Sequence, residues 1–155
     1  MKRNYFSIKD FIRESLRIED IHREPTSAEI AEAERFDALK EVQLQDLEQF
    51  VSIYQPGAKL RTQPGMNVYI GDHCPPRGGP EVLAKTCGLL QMANDRSLGA
   101  YDLHHKYESL HPFLDCNGRS GRMLWYWMMK HEQVWMRSLG FLHSWYYQSL
   151  AKGPR

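Results

Sequence analysis

Twelve consecutive residues, His111-Pro112-Phe113-Leu114-Asp115-Cys116-Asn117-Gly118-Arg119-Ser120-Gly121-Arg122, set a titratable base, a carboxylate, a glycine-containing turn and two arginines side by side. The apolar run Met123-Leu124-Trp125-Tyr126-Trp127-Met128-Met129 follows directly and reads as a buried helix. The polar cluster therefore falls at or just before a helix N-terminus, where free N–H groups and the helix dipole favour an anion. His111 is a general base near neutral pH, with an ordinary pKa of about 6.5. Asp115 offers a hard oxygen ligand to a cation that travels with phosphates. The turn through Cys116, Asn117 and Gly118 can aim N–H groups at an anion. Arg119 and Arg122, three apart, share one side of a helix and suit a phosphate chain. Alone, such a histidine is ordinarily structural and such an arginine pair ordinarily a solvated face. The conjunction in one turn is what points to phosphate chemistry. A thiol at a helix N-terminus is also expected to ionise more readily, so Cys116 is a candidate for oxidation.

The elements that must position this cluster are mostly helices. Ile8, Phe11, Ile12, Leu16 and Ile18 recur at helical spacing and predict an amphipathic helix over 8–21. Near its end lie Ser15 and Glu19, the latter readable simply as a solvated carboxylate. Thr26 and Glu29 form a capping-box signature for a helix from Ser27 to about Lys40. A further helix is predicted over about Gln43–Tyr54, stopped by Pro56-Gly57. Residues 59–71 change character: two extended pieces flank Gln63-Pro64-Gly65 and predict a small β-hairpin. Two roles are open for it, a connector packed on the helices or a flap that presents backbone edges to a partner by strand addition. A proline-stiffened loop, His73 to Pro80, leads to helices over Glu81–Asn94 and Ala100–Leu110. His104 and His105 on the latter read as structural or exposed. The motif helix covers about Asn117–His131, and a last helix is predicted over about Met136–Ala151 before a polar tail, Lys152 to Arg155. The expectation is an all-α fold with a small β-hairpin flap, residues 1–155 forming one domain.

Composition narrows the function classes. The 155 residues are 42% hydrophobic and 25% charged, ordinary for a globular chain, and the net charge of +1 gives no footprint for nucleic acid. Residues 1–50 carry 8 Lys and Arg against 12 Asp and Glu, and the remainder 12 against 7. The half holding the phosphate-directed turn is thus the basic half. Three cysteines, Cys74, Cys87 and Cys116, make no Cys-x-x-Cys pair, which argues against a structural zinc site or a disulfide framework. No apolar run reaches the ~20 residues of a membrane helix, no signal-peptide pattern opens the chain, and the cytosol is the expected location.

The cluster resembles the Fic domain motif, His-x-Phe-x-(Asp/Glu)-Gly-Asn-Gly-Arg-x-x-Arg, at every specified position except Cys116, where the family has glycine. Val68-Tyr69-Ile70-Gly71, followed by His73-Cys74-Pro75-Pro76, resembles the family's flap and the loop behind it. The resemblance implies an autoinhibited protein AMP-transferase that uses ATP with Mg²⁺. In it His111 deprotonates a Tyr, Ser or Thr hydroxyl of a protein target, which attacks the α-phosphorus and releases pyrophosphate. Asp115 holds the metal. Cys116, Asn117, Gly118, Arg119 and Arg122 bind the nucleotide, and the flap residues Val68, Tyr69, Ile70 and Gly71 seat the target. Ser15-Leu16-Arg17-Ile18-Glu19-Asp20 resembles the family's inhibitory (Ser/Thr)-x-x-x-Glu-(Gly/Asn) helix, with Asp20 in place of Gly or Asn. It implies a brake within residues 1–22, in which Glu19 pairs with Arg122. The implied partners are a protein substrate or the chain itself, with no nucleic acid and no membrane; oligomeric state is open. Two alternatives stand beside this reading: a Doc-like transferase that moves another phosphate, for which a non-glycine residue at position 116 has precedent, and a catalytically weak ATP binder.

Overall fold

Helix α6, Asn117–Glu132, is buried almost all round: every side chain from Arg119 to Met129 is buried. A helix with no solvated face must be surrounded, and the rest of the chain does this. The computed structural model describes residues 7–132, and among these are six helices. α5 (Ala100–Leu110) packs along α6, and α4 (Pro80–Asp95) packs on α5. α1 (Ile8–Ile18), α2 (Ser27–Asp37) and α3 (Leu44–Tyr54) cover further sides of α6. Buried side chains of all six helices join one hydrophobic core. Phe11 of α1 lies 4.2 Å from Tyr126, ring to ring. The Trp127 indole donates to the Leu39 carbonyl at 2.8 Å, and Lys130 donates to the Asp37 carbonyl, so both groups end the α2 side with buried polar atoms satisfied.

The helix starts follow local chemistry. Ser7 with Asp10, and Thr26 with Glu29, close capping boxes on α1 and α2. Pro80 opens α4 at a position where its missing N–H costs nothing. α1 stops at Ile18, three residues short of the periodicity-based expectation. Asp20 adopts the left-handed conformation, φ 59°, and the N–H groups of Asp20 and Ile21 bond back to Arg17 and Leu16. That pair of bonds is the Schellman termination, with Asp20 at the position usually held by glycine. Aspartate, with asparagine, is among the few residues that tolerate it. The predicted helix 136–151 and the polar tail lie outside the described residues.

The β-hairpin over 59–71 does not form, and no strand occurs among the described residues. The Gln63-Pro64-Gly65-Met66 turn is present, closed by Met66 N–H to the Gln63 carbonyl. The arms beyond it pair elsewhere: Leu60 bridges Phe113, and Ile70 bridges His73 around a tight turn with Gly71 at φ 53°. The physical reason is competition for backbone groups. The Met66 carbonyl accepts from the Arg61 guanidinium, and Gly78 packs so closely on the Gln63 and Met66 carbonyls that a Cβ there would fall 2.6 Å from each. With those groups taken, the two arms cannot ladder. No described helix is long and apolar enough to cross a membrane.

Candidate phosphate-transfer site

α5 ends at His111, whose backbone is left-handed at φ 50° and ψ 64° and whose N–H bonds back to Tyr107. The chain then crosses to α6 through a turn closed by Asn117. The Asn117 side chain accepts from the Phe113 N–H and donates to the Phe113 carbonyl, each at 2.8 Å. Its amide is thus committed to the turn itself, and the anion-facing donors of this segment are left to the backbone at the start of α6. Ser120 ties the turn down from the other side, donating to the Cys116 carbonyl.

His111 Nδ1 lies 2.9 Å from the Glu108 carbonyl. A carbonyl only accepts, so Nδ1 carries the proton and Nε2 keeps the lone pair. Burial pushes the His111 pKa below its ordinary value, with Arg61 and His73 acting the same way and Glu19 opposing. The ring is therefore neutral at physiological pH, with its basic nitrogen available.

Arg119 is buried, its guanidinium 5.4 Å over the Tyr54 ring, with one terminal nitrogen 3.9 Å from Asp115. Its Nε has no hydrogen-bond partner among the described residues. A buried donor left unpaired beside a helix N-terminus suits an incoming anion. The Asp115 side chain is largely exposed and accepts from the Cys116 N–H. No cluster of three or more metal-binding side chains occurs among the described residues. A single exposed carboxylate beside an anion site fits a magnesium ion whose other ligands are phosphate oxygens and water.

Arg122 is 1% exposed. It donates through Nε to Ser15 Oγ at 2.8 Å, and through Nη2 to the Ser15 carbonyl at 3.0 Å and Glu19 Oε1 at 2.7 Å. The Glu19 carboxylate lies directly against Gly118: a Cβ there would collide with Glu19 Oε1 and come within 2.9 Å of Arg122. Glycine at 118 is what lets the carboxylate reach the first turn of α6.

Cys116 has φ 69°, the conformation for which glycine is the low-cost residue. Its thiol is buried, and burial pushes its pKa up to about 12. This reverses the reactivity expected from a helix N-terminus: desolvation of a thiolate outweighs the dipole and the nearby Arg119. Val68, Tyr69, Ile70 and Gly71 lie on the loop of the Ile70–His73 bridge, with Tyr69 75% exposed, and His73 anchors that loop to the Ser109 carbonyl at the end of α5. His104 is buried and structural, its Nδ1 donating to the Gly121 carbonyl.

Two contributors were not singled out as site residues in the sequence. Tyr54 reads there only as the last residue of a predicted helix. Arg61 carries no pattern at all, because its partners are backbone carbonyls, most of them distant in the chain.

Fold and site together define a class: an all-helical protein in which a neutral histidine stands beside an anion-directed helix start. The family model of the Fic/DOC family matches residues 32–129, and the chain belongs to this family. Membership makes it a Fic-fold, transferase-type protein. The match begins after α1, so Ser15 and Glu19 fall outside it. No curated protein matches the chain.

Proposed function

We propose that the chain is a protein AMP-transferase held in check by its own first helix. The observation that carries the reading is the motif turn itself: a His111 ring protonated at Nδ1, with Nε2 free to take a proton, next to a helix start flanked by Arg119 and Arg122. His111 Nε2 would take the proton of a Tyr, Ser or Thr hydroxyl on the target. The oxygen would form a bond to the α-phosphorus of ATP, and the bond to pyrophosphate would break. Positioned bases of this kind contribute about 10²–10⁴ in rate. Backbone N–H groups at Gly118 and the start of α6 would hold phosphate oxygens, with Arg119 and Arg122 on the β- and γ-phosphates. Asp115 would hold Mg²⁺, which supplies charge neutralisation on the phosphates. The loop Val68–Gly71 would seat the target segment, and the chain itself is a second candidate target.

Glu19 supports the regulatory half of the reading. It engages the arginine that a γ-phosphate would need, and Ser15 accepts from the same guanidinium. Keeping a productive pose near 1% requires only about 2.7 kcal/mol, within the range of a partly buried charge-assisted pair.

One observation favours a second reading, transfer of the γ-phosphate: position 116 is not glycine. The retained Arg122 weighs against it. Incubation with ATP labelled at the α- or the γ-phosphate, with and without Glu19→Gly, separates the two. Label from α is the expected result; label from γ means kinase chemistry, and ATP binding without transfer means a binder. His111→Ala should abolish transfer of either label.

A further inference from the structure

Arg61 is fully buried, at 0% exposure, yet no acidic side chain pairs with it among the described residues. Burying a guanidinium is costly unless its donors are satisfied. Here each guanidinium nitrogen donates to a backbone carbonyl instead. Nε donates to the His111 carbonyl at 2.7 Å and Nη2 to the Leu110 carbonyl at 2.8 Å. Nη1 donates to the Met66 carbonyl at 3.0 Å and the Pro76 carbonyl at 2.8 Å. The backbone adds two more bonds, Arg61 N–H to Pro112 and Gly79 N–H to Arg61.

These partners fall into two groups. Leu110 and His111 are the end of α5, where carbonyls without helical partners and the negative end of the dipole attract a cation. Met66 and Pro76 flank the loop 67–75 that carries Tyr69. One planar side chain thus fastens the base and both feet of the exposed loop. It also fastens His111 where the backbone is left-handed, a conformation that a non-glycine residue holds only when its surroundings enforce it.

We infer that Arg61 is a positioning residue for the proposed transfer reaction: its guanidinium holds His111 and the loop 67–75 in one fixed relation, so that a hydroxyl seated on the loop meets Nε2. The assignment of what is transferred rests on the reading above; the mechanical link does not. Around the ring, Arg61 and His73 disfavour the imidazolium form, while Glu19 and the Glu108 carbonyl favour it.

The test uses the full chain with Arg61→Gln and Arg61→Lys, each also in the Glu19→Gly background. It follows the His111 ring by NMR titration and transfer from labelled ATP by turnover and KM. In Arg61→Gln the titration midpoint of His111 rises, and turnover falls about a hundredfold with the KM for ATP unchanged, the scale of a ~1 Å misplacement. In Arg61→Lys the charge stays and the fork is lost, so the midpoint holds while turnover still falls. An unchanged midpoint in Arg61→Gln overturns the inference, as does wild-type turnover in Arg61→Lys. Should Arg61→Gln fail to fold, Arg61→Lys decides alone: a raised midpoint or an undiminished turnover counts against the role. If no label transfers in any variant, the AMP-transferase reading fails, and the titration together with amide exchange of residues 67–75 judges Arg61. Faster exchange there in both variants supports the link, and unchanged exchange overturns it.

Discussion

Glu19 and Arg122 stand 103 positions apart in the chain and 2.7 Å apart in the fold. The guanidinium is almost wholly buried and the carboxylate about a third exposed. One group is thus fixed by its surroundings, while the other sits at the end of a helix that has solvent on one side. A contact of this kind is broken more easily from the glutamate side.

Glu19→Gly is expected to raise transfer of α-label by up to about a hundredfold, the ratio set by a 1% active population. Ser15→Ala removes one hydrogen bond to the same arginine, worth about 1.5–3 kcal/mol as a bond to a charged group. It should raise transfer less than Glu19→Gly does. Initial rates in purified protein check both. Rates for Glu19→Gly equal to wild type would falsify the brake.

Position 116 tests the backbone. Cys116 carries a Cβ at φ 69°. Cys116→Gly removes that strain but gives up the buried thiol, two effects of about 1 kcal/mol with opposite sign. Cys116→Ala keeps the strain and loses the thiol. The glycine variant should therefore melt near the wild type and the alanine variant below it, by thermal unfolding. A more stable alanine variant would show that the turn tolerates a Cβ without cost.

Thiol labelling gives a separate readout. Cys74 and Cys87 are exposed and Cys116 is buried with a raised pKa. At neutral pH a thiol probe should modify the first two quickly and Cys116 only on unfolding. Mass spectrometry after brief labelling distinguishes the sites, and early modification at Cys116 would contradict its burial.

His104 sets a pH dependence of stability. Burial lowers its pKa to about 3, with the Gly121 hydrogen bond opposing. Between pH ~6.5 and ~3 the unfolded chain binds a proton there that the folded chain does not. Stability should then fall as pH falls through that window, by at most ~1.4 kcal/mol per pH unit from this group. His111, also lowered, acts with the same sign. Denaturant unfolding from pH 7 to 4 should show a shallower slope for His104→Gln than for wild type.

For the proposed transfer, with His111 as its base, the lowered pKa of His111 sets where the acid limb of activity should fall. A base that stays neutral below pH ~6.5 keeps its rate there, so turnover should be flat near neutrality and decline only with a midpoint under that value. A pH–rate profile of Glu19→Gly is the measurement, and a midpoint above 6.5 would mean the ring is not the titrating base.

What was legible in the sequence was local. The capping box at Thr26, helical periodicity, and the run of groups from His111 to Arg122 are each written within a few residues. The six described helices therefore emerged within a few residues of their predicted ends. Even the pairing of Glu19 with Arg122 could be anticipated, from a second motif matched to the first. The hairpin does not form because the competitors for its backbone groups lie outside the turn. Nothing near Met66 says that a guanidinium will occupy its carbonyl, or that Leu60 will bridge Phe113 instead.

The sequence by itself determined which chemical groups stand in the motif and in what order, since spacing along a helix start is a local property. Tertiary packing decided their state. It turned Cys116 from an expected reactive thiol into a buried, weakly acidic one, spent the Asn117 amide on Phe113, and made Arg61 the hidden support of His111. Desolvation and competition for backbone hydrogen bonds depend on what lies around a group in space, and that neighbourhood is assembled from residues far apart in the chain.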